Sequence, residues 1–167
     1  MLYLNTDLLG LSGRPHPALL NISCTQDVKK LRMHLKFLTC DTSSFTMLSD
    51  NDNCCVLCHA ECSIEHVLVS CPATKTTKER LLPTLLNVTA DVQPKCAILN
   101  MHHDLPLLLQ FILDCTSFNL PEPYRIPAHN PGIARIFEIS RDWCFATYNE
   151  RSRQLKSKSG TQCEDDF

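Results

Sequence analysis

A run of metal-ligand residues near the middle of the chain constrains its fold more than any other feature. The segment CVLCHAECSIEHVLVSC holds four of them in the spacing Cys-x2-Cys-x7-His-x4-Cys: Cys55, Cys58, His66 and Cys71. Three thiolates and one imidazole suit a tetrahedral Zn²⁺ site, and a site closed by four protein ligands leaves no position for a substrate or a catalytic water. The spacing therefore predicts a structural zinc site.

The residues between these ligands determine whether the four side chains can meet. The two cysteines of the Cys-x2-Cys pair share one side of a tight turn, and a short helix over residues 64–69 would carry His66. On a continuous helix, Cys71 would lie about 140° around the axis from His66, at about 100° per residue. Pro72 disfavours helical backbone at the residue before it. We therefore expect the helix to end before Cys71, which lets that thiol reach the metal.

Three further residues of the same segment carry side chains that bind metals: Cys54, His59 and Cys62. Cys54 would form a less compact turn with Cys58 than Cys55 does. His59 directly follows a ligand, and Cys62 has no second ligand at a suitable spacing. The alternative to a metal site is a group of buried free thiols, which behave as small hydrophobic side chains.

Composition limits the classes of protein to which the chain can belong. Its 167 residues are enough for one ordinary domain or two very small ones, and 44% apolar residues are typical of a globular protein. The cysteines number 11, which is odd, and the N-terminal run MLYLNTDLLGLSG lacks the basic start of a signal peptide. No segment has the length and apolarity of a membrane span. We expect an intracellular protein, nuclear or cytoplasmic and not secreted, with no membrane partner.

The pattern of apolar residues and prolines predicts a mainly α fold, a small helical domain with one Cys3His zinc knuckle and Pro-rich connectors. No internal repeat is present. The predicted divisions are a loose N-terminal lead-in over 1–22, a helix with the zinc module and following helices over 23–115, a Pro-rich connector over 116–130, a long C-terminal helix over 131–156 and a disordered tail over 157–167.

The first helix is predicted over residues 25–38. Ser23 and Gln26 have the spacing of a capping box, which supports a start at this point. Apolar residues recur at three- and four-residue steps and should define its buried face: Val28, Leu31, Leu35 and Leu38.

Prolines divide the rest of the chain into helical segments. A helix that follows the metal motif should end or kink at Pro83. The apolar run LPLLLQFILDC over 105–115 predicts a buried helix with Pro106 in its first turn. Asn130 and Pro131 resemble an N-cap followed by proline at the first helical position. The long helix after them, from 133 to about 153, should bury one face: Ile136, Phe137, Ser140, Trp143 and Thr147.

Two runs of basic residues are candidates for contact with phosphate groups, although the formal net charge is −2. The first run follows the metal motif and contains Lys75, Lys78 and Arg80. The second, ERSRQLKSK, supplies Arg151, Arg153, Lys156 and Lys158. The simpler interpretation of each run is a solvated helix face or tail. Because the net charge does not favour nucleic acid, any such binding would be weak and local.

The metal motif and its flanks are similar to a known family. The run C-x-L-C, a polar loop and then E-H-V-L-V-S-C-P-A resemble the zinc-binding region, a CCHC zinc knuckle, at the C-terminal end of non-LTR retrotransposon reverse transcriptases. The matching positions are Cys55, Cys58, Glu65, His66, Leu68, Cys71 and Pro72. The flanking runs KKLRMHLKFLTCD, QFILDCTSFNLP, RIPAHNPGI and SRDWCF extend the resemblance over residues 14–155.

The resemblance implies a zinc-stabilised accessory module that binds RNA or DNA, and Lys75, Lys78 and Arg80 beside the knuckle are its predicted phosphate contacts. An enzyme is not expected, because the chain has neither the Tyr-x-Asp-Asp motif of a polymerase nor a Pro-Asp dipeptide for a restriction-like nuclease. No small-molecule substrate is expected either. Two alternatives stay open: a structural or protein-interaction module with a protein partner, and a decayed retroelement fragment without a selected function.

Overall fold

The structure, a computed structural model, describes residues 16–19, 21–39, 48–49, 52–94, 103–117 and 120–161. Within these ranges the chain forms four α-helices: α1 (Thr25–Leu38), α2 (Lys75–Val92), α3 (Leu105–Asp114) and α4 (Ile133–Thr161). A short antiparallel ladder joins β1 (Leu48–Ser49) to β2 (Asp52–Cys55). Single 3-10 turns lie at Pro17–Leu19, Pro72–Thr74 and Glu122–Tyr124. The predicted mainly α class with a Cys3His cluster is confirmed.

The predicted bounds of α1 are confirmed, but its capping residues differ from the predicted pair. The N-cap is Cys24, and the carboxylate of Asp27 accepts hydrogen bonds from the backbone N–H groups of Ser23 (3.0 Å) and Cys24 (3.1 Å). The predicted capping pair, Ser23 and Gln26, is therefore one residue too early in the chain. The observed pair uses the charged carboxylate of Asp27, which is a stronger acceptor than the amide of Gln26. The bond from the Ser23 N–H is the main reason that the pKa of Asp27 falls to about 2.

The face of α1 that enters the core also differs from the predicted one. Leu38 is buried as expected. Val28 is 53% exposed and Leu35 is 37% exposed, so the prediction of both as core residues is wrong. The helix instead buries His34, whose Nε2 donates to the carbonyl oxygen of Leu113 at 2.9 Å. Apolar spacing could not show this orientation, since a histidine enters a core only where it finds a hydrogen-bond partner.

α2 continues through Pro83, so of the two predicted outcomes at that residue, an end or a kink, the end is wrong. Proline has no N–H group to donate, and the carbonyl of Glu79 loses its helical partner. Pro83 is exposed, which leaves that carbonyl within reach of water. On the opposite side of the helix, Leu85 and Thr89 are fully buried. Packing of this inner face outweighs the local penalty, and α2 is a single helix of 18 residues.

α3 is the buried helix that the apolar run predicts. The side chain of Asp104 accepts a hydrogen bond from the N–H of Leu107 at 3.0 Å, which caps the first turn, and Pro106 lies within that turn. Every residue from Leu108 to Asp114 is buried. Because this helix is buried on all sides over that stretch, it lies inside the core.

α4 begins at Ile133, the predicted start of its inner face and two residues after the start of the predicted division 131–156, and it ends later than predicted. The side chain of Asn130 accepts a hydrogen bond from the N–H of Gly132 at 2.9 Å, so Asn130 closes a turn before the helix, which starts at Ile133. The helix extends to Thr161, and the predicted tail is therefore helical over 157–161, while residues 162–167 lie outside the described ranges. The predicted inner face is confirmed, because all five of its residues are buried: Ile136, Phe137, Ser140, Trp143 and Thr147.

The other elements pack around α4. It contacts α1, α2, α3 and the segment that carries the metal ligands. The predicted lead-in is not loose over 16–19, because Arg141 of α4 donates to the carbonyl of Ala18 at 2.7 Å, and residues 1–15 lie outside the described ranges. The Pro-rich connector also joins the core through Ile126, which is buried. Among the described helices, none is long and apolar enough to cross a membrane.

Candidate metal centre

A tight turn after β2 provides the first two candidate ligands. The carbonyl of Cys55 accepts hydrogen bonds from the N–H groups of Cys58 (3.3 Å) and His59 (2.7 Å), and the N–H of Cys55 donates to Ala60 at 2.7 Å. His59 has left-handed backbone with φ of 63°, which reverses the chain and leaves its side chain exposed. The turn thus brings the thiols of Cys55 and Cys58 to one side, as predicted.

A wide helical turn provides the other two ligands. Residues His66–Ser70 form a π turn in which the N–H of Cys71 donates to the carbonyl of His66 at 2.7 Å. A π turn joins residues five apart, so it returns the chain closer to the starting side than an α-helix would over the same five steps. Cys71 itself has extended backbone with ψ of 124°, and Pro72 follows it. The prediction that the helix ends before Cys71 is confirmed, whereas the π turn was not anticipated.

The four predicted ligands converge on one point. Sγ of Cys71 lies 3.9 Å from Sγ of both Cys55 and Cys58, and Sγ of Cys58 lies 3.1 Å from Nε2 of His66. All four ligand atoms lie within 4.8 Å of one another. A tetrahedral Zn²⁺ with Zn–S near 2.3 Å and Zn–N near 2.05 Å requires separations of about 3.8 Å between sulfurs and about 3.6 Å between sulfur and nitrogen. The group can therefore hold a metal ion with small adjustments.

The neighbouring metal-binding side chains stay outside this group. Cys54 pairs through its backbone with Glu61 across a bridge, so it is adjacent in sequence but takes no corner of the tetrahedron. Cys62 lies close enough for its thiol to donate a hydrogen bond to Cys55. Burial is the main cause of the raised pKa of Cys62, and the charge of Cys55 adds to it. The fold thus brings together the four predicted ligands and leaves Cys54 and Cys62 outside the group.

Arg151 of α4 is a part of this site that the sequence analysis missed. Its Nη1 lies 3.3 Å from Sγ of Cys71 and 3.4 Å from Sγ of Cys55, and its Nη2 lies 3.5 Å from Sγ of Cys55. The side chain is only 2% exposed, although the sequence interpretation assigned it to a solvated basic run. One signal was available, because Arg151 follows Thr147 by four residues and so continues the buried face of the helix.

The hydrogen bonds at the two buried sulfurs determine which of them ionises more readily. Burial alone raises the pKa of Cys55, but Arg151 and two N–H groups of the turn donate to its sulfur and lower the pKa to about 6. The pKa of Cys71 rises to about 12, mainly through burial and further through the charge of Cys55. Adjacent thiolates repel each other, and a divalent cation between them removes that repulsion. This donor set is therefore suited to a cation.

The three predicted phosphate contacts lie on α2 but do not share one face. Lys75 is 72% exposed and its Nζ lies 3.5 Å from the carboxylate of Glu79. Lys78 and Arg80 lie on opposite sides of α2, since two residues correspond to about 200° around a helix, and Lys78 is half-buried whereas Arg80 is exposed. The three cations therefore do not form one continuous basic surface on α2.

Arg80 instead lies beside a cation from α4. A groove of about 370 Å³ between α2 and α4 is lined by Arg80 and Arg153, together with Thr76, Asn149 and Glu150. The carboxylate of Glu150 accepts a hydrogen bond of 2.5 Å from Thr77. Among the described residues, neither Arg80 nor Arg153 forms an ion pair. Both guanidinium groups are therefore available to an anion from outside.

Comparison with protein-family models, with curated proteins and with solved structures found no match to this chain. The metal centre and its surroundings therefore carry the functional argument.

Proposed function

We propose that this chain is a zinc-stabilised accessory module that binds nucleic acid and catalyses no reaction of its own. The convergence of Cys55, Cys58, His66 and Cys71 is the observation that carries the proposal. Four protein ligands complete a tetrahedron, and a zinc site of this kind supports a fold rather than activating a water molecule. The soft, sulfur-rich donor set favours Zn²⁺ over the hard cations Mg²⁺ and Ca²⁺.

Zinc would hold the segment that leads directly into α2. Cys71 lies at the end of the π turn, and the 3-10 turn Pro72–Thr74 joins it to the first residue of the helix, Lys75. Zinc binding by such small sites is worth on the order of 10 kcal/mol at neutral pH, more than a short polar segment gains from burial. The metal would therefore determine where the start of α2 lies relative to α4.

The nucleic-acid part of the proposal rests on the cations near this helix start and on the resemblance to the retroelement zinc knuckle. Lys75, Lys78 and Arg80 remain the proposed phosphate contacts, and the groove adds Arg153 opposite Arg80. Phosphate contacts of this kind position a protein on nucleic acid without reading its sequence. We expect weak binding that does not distinguish sequences.

Metal binding is tested by titrating the metal-free protein with Zn²⁺ in the presence of a colorimetric chelator. The expected result is one Zn²⁺ per chain, and Cys71→Ser should weaken zinc binding strongly because it removes a ligand. Cys62→Ser serves as the control, because Cys62 is not one of the four candidate ligands. This variant should still bind one Zn²⁺ per chain. Full zinc affinity in the Cys71→Ser protein would contradict the assignment.

Nucleic-acid binding is tested by fluorescence titration of the zinc-loaded protein with single-stranded RNA and with duplex DNA at two salt concentrations. Each neutralised phosphate contributes about 0.9 to the logarithmic salt slope on duplex DNA and about 0.7 on single strands, so a slope of roughly −2 to −5 is expected. The double variant Arg80→Gln/Arg153→Gln should weaken binding to all sequences alike. The variant Lys29→Gln/Arg32→Gln removes the same charge from the exposed side of α1 and should bind normally.

A protein-interaction module is the competing function, and one observation favours it. Three large apolar side chains are exposed away from the groove: Leu19 at 41%, Val28 at 53% and Leu35 at 37%. If the Arg80→Gln/Arg153→Gln protein binds nucleic acid as well as the unmodified protein does, the groove has no role in binding. The competing function would then be the better account of the fold.

A further inference from the structure

Three side chains on the last turns of α4 contact the metal-binding segment at three different points. Arg151 reaches the sulfurs of Cys55 and Cys71, as described above. Nε2 of Gln154 donates to the carbonyl of Ala73 at 2.7 Å. Nζ of Lys158 donates to two carbonyls of the tight turn between Cys55 and Cys58, those of Val56 at 3.2 Å and Leu57 at 3.3 Å. Residues at i, i+3 and i+7 lie on the same side of a helix, so these contacts form one continuous stripe.

The stripe holds both halves of the metal centre. Lys158 binds the turn that carries the first two ligands, and Gln154 binds the 3-10 turn directly after the last ligand. Arg151 precedes both residues on α4 and reaches one sulfur from each half. The contacts therefore depend on the two halves being held together, which is what a shared metal ion does.

Charge gives Arg151 a second link to the metal. Three thiolates and one neutral imidazole around Zn²⁺ carry a net charge of −1, which a single guanidinium neutralises. A buried arginine is strongly destabilising unless it is paired, since it does not lose its proton. Among the described residues, no carboxylate forms an ion pair with Arg151, and the two sulfurs are its hydrogen-bond acceptors. With Zn²⁺ bound, the four ligands would thus be the anionic partner of this arginine.

We propose that Arg151, Gln154 and Lys158 form a clamp through which the metal centre holds the C-terminal turns of α4 in place. With metal bound, the segment from Arg151 to Thr161 is docked and helical. Without metal, the two halves of the centre separate and this segment frays, whereas the earlier part of α4 stays packed through Phe137 and Trp143. The inference rests on the proposed zinc site and does not depend on nucleic-acid binding.

The clamp is tested by hydrogen–deuterium exchange of the full chain, loaded with Zn²⁺ and after treatment with a chelator. Chelation should remove protection from residues 54–74 and also from 151–161, while 133–147 keep theirs as an internal reference. Equal protection of 151–161 with and without zinc, while 54–74 lose theirs, would overturn the clamp and leave the zinc site intact. Failure of the protein to bind Zn²⁺ at all would overturn both.

A variant pair separates the role of Arg151 from a general effect of lost charge. Arg151→Met keeps much of the side-chain volume, and its zinc affinity should fall about 10- to 100-fold, the usual effect of losing a partner of a metal ligand. Arg135→Met removes the same type of residue from the first turn of α4, where the side chain is 63% exposed, and should leave zinc affinity unchanged. Equal zinc affinity in the two variants would contradict the clamp.

Two further measurements keep the test decisive if Arg151→Met folds poorly. The cobalt-loaded Arg151→Lys protein retains the charge but loses the forked donor, so its sulfur-to-cobalt absorption band should shift to longer wavelength as the thiolates lose hydrogen bonds. Gln154→Ala/Lys158→Ala leaves the buried arginine intact and should lower the exchange protection of 151–161 with zinc bound. An unchanged cobalt spectrum together with unchanged protection in the double variant would refute the proposed contacts.

Discussion

His34 makes the stability of this fold depend on pH, and replacing it tests how α1 packs against α3. The side chain is fully buried, and its Nε2 donates to the carbonyl of Leu113 at 2.9 Å. Burial is the main reason that its pKa falls from 6.5 to about 4, and the nearby charge of Asp114 opposes the shift only in part. In the folded protein His34 is therefore neutral over the pH range 5.5 to 7.5, well above a pKa of about 4.

The direction of the effect follows from which state binds the proton. Below pH 6.5 the histidine of the unfolded chain is protonated while the buried one is not, so the free energy of unfolding decreases as the pH falls. A pKa difference of this size corresponds to about 3 kcal/mol once the pH is below both values, at about 1.4 kcal/mol per pKa unit. Between pH 7.5 and 5.5, the part attributable to His34 is about 1 kcal/mol.

The assay is urea unfolding of the zinc-loaded protein at pH 7.5, 6.5 and 5.5, compared with His34→Gln. Glutamine can donate to Leu113 but does not titrate, so the variant should lose about 1 kcal/mol less stability over this range. Both proteins keep the same four candidate metal ligands, so the pH dependence of metal binding cancels in the comparison. His129→Gln alters an exposed histidine and should behave as the unmodified protein does. Identical pH profiles for His34→Gln and the unmodified protein would refute the argument from burial.

Three other predictions follow from the fold. Trp143→Phe should lower the free energy of unfolding by about 2–3 kcal/mol, as measured by thermal unfolding. The buried carbonyl of Leu68 loses the indole N–H that donates to it at 3.0 Å, and a small cavity forms. Pro83→Ala should raise the free energy of unfolding by about 1–3 kcal/mol in urea, since proline is the least favourable residue in an exposed helix interior. The purified chain should show neither primer extension nor DNA nicking, because both reactions need clustered carboxylates to hold divalent metal; activity that is lost on mutating its acidic residues would contradict this.

The cations of the C-terminal basic run, residues 151–158, lie in different surroundings. They show that a charged residue in a sequence need not be exposed to solvent in the fold. Arg151 is buried against two sulfurs, and Lys158 donates to backbone carbonyls of the knuckle. Arg153, two residues after Arg151, lines the groove on another side of the same helix. A helix turns about 100° per residue, so neighbouring cations of one run meet different surroundings. Only the packing partners of α4 decide which cation stays free to bind phosphate.

The sequence by itself determined the features that depend on local spacing. The ligand set, the tight turn between the first two cysteines and the helix end before Cys71 all follow from residues within one short segment. The bounds of α1, the buried α3 and the inner face of α4 follow from apolar periodicity and from capping residues. These features were predictable because neighbouring residues supply both the structure and the signal for it.

Only the tertiary structure decided the features that depend on distant partners. His34 is buried because it meets the carbonyl of Leu113, 79 residues away, and this contact turns Val28 and Leu35 towards the solvent. α2 passes through Pro83 because its inner face packs in the core. Arg151 joins the metal centre because the fold brings it to Cys55, 96 residues away. In each case a long-range contact outweighs a local preference that is worth at most a few kcal/mol.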